Sequence, residues 1–263
     1  MNIIKYNSLA NKLNLINSTD GPFFCIEVSP PKEINEIKYF ISSINKLINK
    51  TTNNSFLFLS IVAHAENKPT DISLPNSSTS TASKIINENI LPKNSHLLLH
   101  ITGKCFINVP HNYVDIYFTK LKQLGINNYF VLSGDSPQRI NYNYENYNLV
   151  ENSLLSSQLN SLHLIKRIRK SNKSTSFKNK LTFAVAGYPE CHPFAFDRNS
   201  DILFLKRKIY EGNANFVICQ FSFDKAVEKF FQFVADCREA GINVHIIPGI
   251  LLFQVINQPY LFF

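Results

Sequence analysis

The 263-residue chain has no tryptophan, a single methionine, only eight glycines and five cysteines. The cysteines, at 25, 105, 191, 219 and 237, form an odd set without a Cys-x-x-Cys pair. That argues against a disulfide framework and for inert thiols in a reducing compartment. No apolar run reaches the roughly 20 residues that a membrane helix needs, and even LLFQVINQPYLFF is short and interrupted. The N-terminal MNIIKYNSLANKLNLINSTD lacks both a continuous apolar segment and the arginines of a transit peptide, so a soluble, cytoplasmic protein is expected. No G-x-G-x-x-G follows the first strand-like run, which weighs against a dinucleotide-binding sheet.

What remains is a chain able to build a large core. Hydrophobic residues make up 44% and charged residues 17%, which excludes general disorder. Lys+Arg 27 against Asp+Glu 19 gives +8, a balance that suits anionic small molecules. The only basic run, Lys166–Lys180, has no aromatic interleaving and reads as a solvated helix end and loop, so nucleic-acid binding is rejected.

Seven short apolar runs are strand candidates: Phe23–Val28, Phe56–Ala63, Leu97–Thr102, Tyr129–Leu132, Leu181–Ala186, Phe216–Phe221 and Val244–Leu251. Several are apolar at successive positions, the pattern of parallel strands covered on both faces. Helical stripes lie between them. Ile34, Ile37, Ile41, Ile44 and Ile48 form one; Val114, Tyr117, Phe118, Leu121 and Leu124, closed by Gly125, form another. Ile202, Leu205 and Ile209 precede Gly212, and Val227, Phe230, Phe231, Val234 and Cys237 run from an expected N-cap at Asp224 to Gly241. Glu66–Ala82 and Ser136–Ser157 read as loops.

This alternation predicts an α/β fold, and the placing of polar residues selects a (β/α)8 TIM barrel. Glu27, His64, His100, Asp135, Tyr188–Glu190 and Gln220 all fall at C-terminal strand ends, the catalytic face of a barrel. A single domain over 1–263 with about seven strands is expected.

Several strand-end residues carry chemistry. Glu27 interrupts an apolar strand, where an ionised carboxylate is costly to bury without a partner, and Pro30–Pro31 then stop the strand. His100 is a lone imidazole on an apolar strand, and Asp135 follows a glycine turn. Tyr188-Pro189-Glu190-Cys191-His192-Pro193 pins a phenol, a carboxylate and an imidazole on one loop. Glu190 and His192 lack a third ligand at suitable spacing, so no metal site is expected. Lys206, Arg207 and Lys208 would suit phosphates if they faced the barrel mouth.

In order along nearly the whole chain, these stretches resemble the methylenetetrahydrofolate reductase family. The carriers are IEVSPPK (family F-E-F-F-P-P-K), HIT (H-L-T), LSGDSP (L-R-G-D-P-P), VAGYPECHP (V-A-G-Y-P-E-G-H-P), LKRKIYEGNANFVICQFSFD and IIPGIL (I-I-P-G-I-x-P-I). The resemblance implies a barrel that holds FAD and uses NADH or NADPH to reduce 5,10-methylenetetrahydrofolate to 5-methyltetrahydrofolate by ping-pong transfer. It places Glu27 as general acid for opening the folate's five-membered ring, and Asp135 as the anion beside flavin and pterin. His100, Gly134, Asp135, Tyr188, His192, Asp201, Arg207 and Lys208 fall on FAD-contacting positions, and Gln220 and Gln254 on folate-contacting ones. A homo-oligomer is compatible with it.

The departures carry expectations too. Ser133 stands where the family has arginine beside the FAD pyrophosphate; a lost charge-assisted hydrogen bond weakens binding roughly 10- to 150-fold. Lys104 and Arg207 are the candidates to replace that cation. The last βα unit and any regulatory domain are expected to be missing after Phe263. The rival reading is therefore a truncated, non-catalytic relic that does not retain flavin.

Overall fold

The computed structural model describes residues 8–16, 22–31, 36–49, 55–63, 78–92, 95–106, 111–134, 160–171, 181–221 and 224–251. Among them run helix α1 (Leu9–Asn14), strand β1 (Phe24–Val28), α2 (Glu36–Asn49), β2 (Phe56–Ile61), α3 (Ser78–Asn87), β3 (His96–Thr102), α4 (His111–Gln123) and β4 (Asn128–Leu132). Then follow α5 (Ser161–Ser171), β5 (Thr182–Gly187), α6 (Arg198–Tyr210), β6 (Phe216–Cys219), α7 (Ala226–Glu239) and β7 (His245–Ile247). All seven strands are parallel and neighbour one another in chain order. The sheet curls into a half-barrel, consistent with an incomplete TIM barrel.

Each strand-like run of the sequence holds a strand: four are trimmed at their ends, β3 and β4 start one residue earlier at His96 and Asn128, and β5 runs one residue further to Gly187. The runs are apolar throughout because both faces are covered, as parallel sheets require. Leu59, Ile61, Leu99, Ile101, Tyr129, Val131, Phe183, Val185 and Val217 face outward into the helix layer, where Ile44, Ile85, Phe118, Leu121, Ile165, Leu205 and Phe233 meet them. Phe58, Leu98, Phe130, Ala184 and Phe216 face inward, and α1 packs Leu9 and Leu13 against them. This helix seats at the N-terminal strand ends: the Ala10 N–H donates to Thr182 Oγ1 (3.2 Å) and Lys12 Nζ to the Phe56 carbonyl (3.4 Å). The inner layer is thus closed from below, which leaves the opposite strand ends to carry chemistry.

Two expectations are corrected. Helix α3 begins at Ser78, inside the stretch Glu66–Ala82 read as a loop; Thr79 and Thr81 are buried, and Thr79 bonds the Tyr117 hydroxyl (2.8 Å). The Thr79 bond and that of Ser78 to the Val62 carbonyl (2.6 Å) override the weak helix preference of these residues. Asp224 does not cap α7. The N-cap is Lys225, in the left-handed region (φ 46) with no side-chain cap, and Asp224 lies 3.9 Å from Lys229 instead. The expected stops at Gly125 (φ 78) and Gly241 (φ 82) are left-handed, as helix C′ glycines are. No helix among the described residues is long and apolar enough to cross a membrane.

Candidate active site at the strand ends

Glu27 is the first residue of the site. Its neighbours Ile26 and Val28 pack on the outer face, so strand alternation turns the carboxylate inward. There it is half exposed, at 53%. Across the β1–β2 register it pairs with Ser60, itself 1% exposed. One strand further on, His100 is 4% exposed and places Nε2 2.7 Å from Ser60 Oγ and 3.4 Å from Glu27 Oε2. The imidazole and the Phe130 ring meet edge to face, 4.8 Å between centroids, which fixes the imidazole plane. Thus three strands bring a carboxyl, a hydroxyl and an imidazole to one nitrogen.

Gly134 closes the end of β4. Its φ of 81 is left-handed, and a Cβ there would sit 2.6 Å from Thr102 Cβ. Only glycine lets this turn cross β3 so closely. Gly249, after β7, is similarly tight: a Cβ would lie 2.4 Å from the Cys219 carbonyl.

The loop after β5 carries the second group. The Tyr188 and His192 rings meet edge to face at 4.5 Å, and Phe194 lies 5.5 Å beyond His192. His192 Nδ1 accepts the Phe194 N–H (3.1 Å), which assigns any neutral imidazole proton to Nε2. Asp201, buried on the first turn of α6, accepts the His192 N–H (3.0 Å). Arg198 latches the loop from below: its side chain donates to the Pro189 carbonyl (2.6 Å) and to Asp236 of α7 (2.6 Å). Burial would raise the Asp236 carboxyl, but hydrogen bonds from Gln232 and Arg198 outweigh it and hold it below the ordinary value. Glu190 pairs with Lys229, so it is engaged by α7. Cys191 has φ 72, at the position where the quoted motif V-A-G-Y-P-E-G-H-P carries glycine.

The three cations of α6 diverge rather than forming one phosphate site. Lys206 Nζ lies 3.9 Å from where a Gly241 Cβ would be. Arg207 is exposed and bonds Glu211 (2.7 Å), which Lys166 also holds (2.7 Å); the pair keeps that carboxyl down at about 2. Glu211 caps the C-terminal end of α6, so Arg207 is directed toward the closed end of the sheet. Lys208 is 5% exposed and donates to the Ala186 carbonyl (3.0 Å). Burial lowers its ammonium to about 8, against a smaller opposing pull from Asp201.

Of the expected site residues, Glu27, His100, Gly134, Tyr188, His192 and Gln220 lie at or just beyond C-terminal strand ends. Asp201 and Lys208 stand behind them, and Arg207 is turned away. Asp135, Gln254, His64 and the side chain of Lys104 lie outside the described residues. Ser60 and Arg198 are absent from the sequence-based list. Ser60 was findable as the one hydroxyl inside FLFLSI; Arg198 gives no spacing signal. Among the described residues no cluster of three potential metal ligands occurs.

Comparison with known proteins follows the same ends. The family described as Methylenetetrahydrofolate reductase matches residues 12–260. A Caenorhabditis elegans protein named probable methylenetetrahydrofolate reductase (NADPH) is 29% identical over 94% of this chain and 33% of its own length. Methylenetetrahydrofolate reductase (NADH) 1 of Arabidopsis thaliana is 25% identical over 92% of this chain and 37% of its own. The 5,10-methylenetetrahydrofolate reductase of Escherichia coli is 53% identical over 68 residues, 26% of this chain and 22% of its own. The chain therefore spans about a third of the length of the first two.

Proposed function

The chain belongs to the methylenetetrahydrofolate reductase family, and from that premise we propose that residues 1–263 form one catalytic barrel domain. It binds FAD across its strand ends and reduces 5,10-methylenetetrahydrofolate with NADH or NADPH. The observation that carries this reading is Glu27: a half-exposed carboxyl at the end of β1, 3.4 Å from a buried imidazole.

The residues present fit a flavin unevenly. Tyr188 and His192 offer ring faces, Gly134 a backbone without a side chain, and His100 an imidazole at the inner wall. Asp201 contributes by fixing the His192 backbone. Lys208 keeps a cation under the same loop through its bond to Ala186. FAD, when bound, would take a hydride from the nicotinamide and pass it to the folate, so the two substrates use one site in turn.

This chain's own part is proton chemistry and orientation. Glu27, open to solvent on one side and to His100 on the other, gives its proton to the folate nitrogen as the five-membered ring opens. General acids of this kind contribute roughly 10²- to 10⁴-fold. Asp135, by resemblance, faces the cation that develops. Gln220, exposed just past β6, is placed to hydrogen-bond the folate.

The test is direct. A purified preparation that absorbs as a flavoprotein, and whose flavin is bleached by NAD(P)H and recoloured by methylenetetrahydrofolate, supports the proposal. A colourless protein that added FAD cannot restore supports the relic instead. Two observations favour weak flavin retention: Ser133 replaces the family's arginine, and Arg207, its candidate substitute, is engaged by Glu211.

A further inference from the structure

The contact between Ser60 and His100 has no place in the reaction described above, yet it is among the most buried polar contacts of the inner wall. It joins β2 to β3 on the same nitrogen that faces Glu27 from β1. One ring nitrogen therefore has two partners, and it can donate or accept but not do both.

The two cases differ in what each partner must do. With Nε2 unprotonated, the Ser60 hydroxyl donates to it, and an ionised Glu27 would face a lone pair. With Nε2 protonated, the same nitrogen donates both to the Glu27 carboxylate and to the Ser60 oxygen. A carboxylate can only accept, whereas a hydroxyl changes from donor to acceptor by rotating about its Cβ–Oγ bond. The Phe130 ring, at 4.8 Å, opposes rotation of the imidazole itself. The arrangement that satisfies an ionised Glu27 is thus the second, with Nε2–H donating and the Ser60 oxygen accepting.

We infer that Ser60 is a positioning residue for Glu27. By accepting from Nε2–H, it holds His100 in the tautomer whose N–H faces Glu27, both when Glu27 holds its proton and when that proton has passed to substrate. Buried at low local dielectric, an unsatisfied Nε2 would oppose the transfer. No other reactant is needed: one proton passes from Glu27 to substrate, and His100 keeps its own on Nε2 throughout. The functional half of this inference rests on the acid role of Glu27; the structural half does not.

Ser60→Ala removes one atom from a strand and leaves the sheet ladder intact. In the purified, flavin-free chain labelled with 15N-histidine, the His100 ring nitrogens should change from one tautomer to a mixture in Ser60→Ala. Unchanged nitrogen resonances would overturn the inference regardless of flavin. In flavin-loaded protein, Ser60→Ala should slow flavin reoxidation by methylenetetrahydrofolate roughly 10- to 100-fold while sparing flavin reduction by NAD(P)H. Ser60→Thr, which keeps a hydroxyl, should recover most of that loss. Equal loss in both half-reactions, or a folded Ser60→Thr no better than Ser60→Ala, would also overturn it. If wild type takes up no flavin, the proposed function fails, and the nitrogen resonances still decide whether Ser60 orients His100.

Discussion

The two halves of the strand-end surface are held in different ways. In the first half, Glu27, Ser60 and His100 sit on the strands themselves, and cross-strand contacts to the buried Ser60 and His100 fix the half-exposed Glu27. In the second, Tyr188 and His192 sit on a loop, and charged groups from α6 and α7 pin it: Asp201 on the His192 N–H, Arg198 on Pro189 and Asp236, Lys229 on Glu190. The difference is one of permanence. A group built into a sheet moves only when the sheet moves, and the buried Ser60–His100 contact is shielded from salt. A loop held by half-exposed ion pairs opens locally at lower free energy and responds to ionic strength. The first arrangement suits a proton donor that must be in register; the second suits a surface that must admit and release large ligands.

The largest expected effect tests the first half. Glu27→Gln should slow methylenetetrahydrofolate reduction by at least about 100-fold while NAD(P)H still reduces the flavin, as stopped-flow half-reactions would show. Equal losses in the two would remove the acid role.

Lys208 in the second half gives an alkaline signature. Its folded value, about 8, lies below the 10.5 of an exposed lysine. The unfolded chain then binds the extra proton between those values, so this group's contribution to stability rises with pH across that window. The shift corresponds to a change on the order of 3 kcal/mol. Comparing urea midpoints of wild type and Lys208→Met isolates it: the difference should move in favour of wild type from pH 8 to 10.5, and a flat difference would refute the buried charge. The subtraction is needed because burial also pushes the Cys25 thiol up to about 12 and Cys237 to about 11, which lowers stability above pH 9 in both proteins.

A smaller effect separates the halves directly. Arg198→Ala should lower stability by about 2 kcal/mol, because it leaves the Pro189 carbonyl without its donor and Asp236 with Gln232 alone. Hydrogen exchange should then quicken in the loop after β5 and not in β1 to β3. Uniform quickening would mean that the loop is not a separate unit.

The smallest concerns strain. Cys191→Gly relieves a left-handed φ of 72 that opposes a side chain by about 1–2 kcal/mol. The added freedom of the unfolded chain returns part of it. A net gain of roughly 0.5 kcal/mol in a thermal or urea melt is expected; a loss would mean that the thiol's contacts outweigh the backbone.

Much of the fold was legible because its signals are local. Seven apolar runs were seven strands, and the stripes ending at Gly125 and Gly241 were helices. Helices α1 and α3 were not recognised, and α5 only as the helix end within Lys166–Lys180: α1 is six residues long, and α3 is rich in serine and threonine, which owe their helical state to the neighbours they pack on. The site was half legible. Polar residues at strand ends mark the mouth of any parallel barrel, so Glu27, His100 and Tyr188 stood out. The cluster Lys206–Lys208 looked like one site only because its members are consecutive; a helix turns about 100° per residue and sends them apart.

The amino-acid sequence by itself determined the alternation of strand and helix, the family, and which strand ends carry polar groups, because hydrophobic period and motif order need no partner to be read. The tertiary structure alone decided that Ser60 meets His100 forty positions away, that Arg207 answers Glu211 instead of the mouth, and that Arg198 holds the loop. Those outcomes depend on sheet register and on the rotation of each helix against the sheet, and both are set by packing over the whole core.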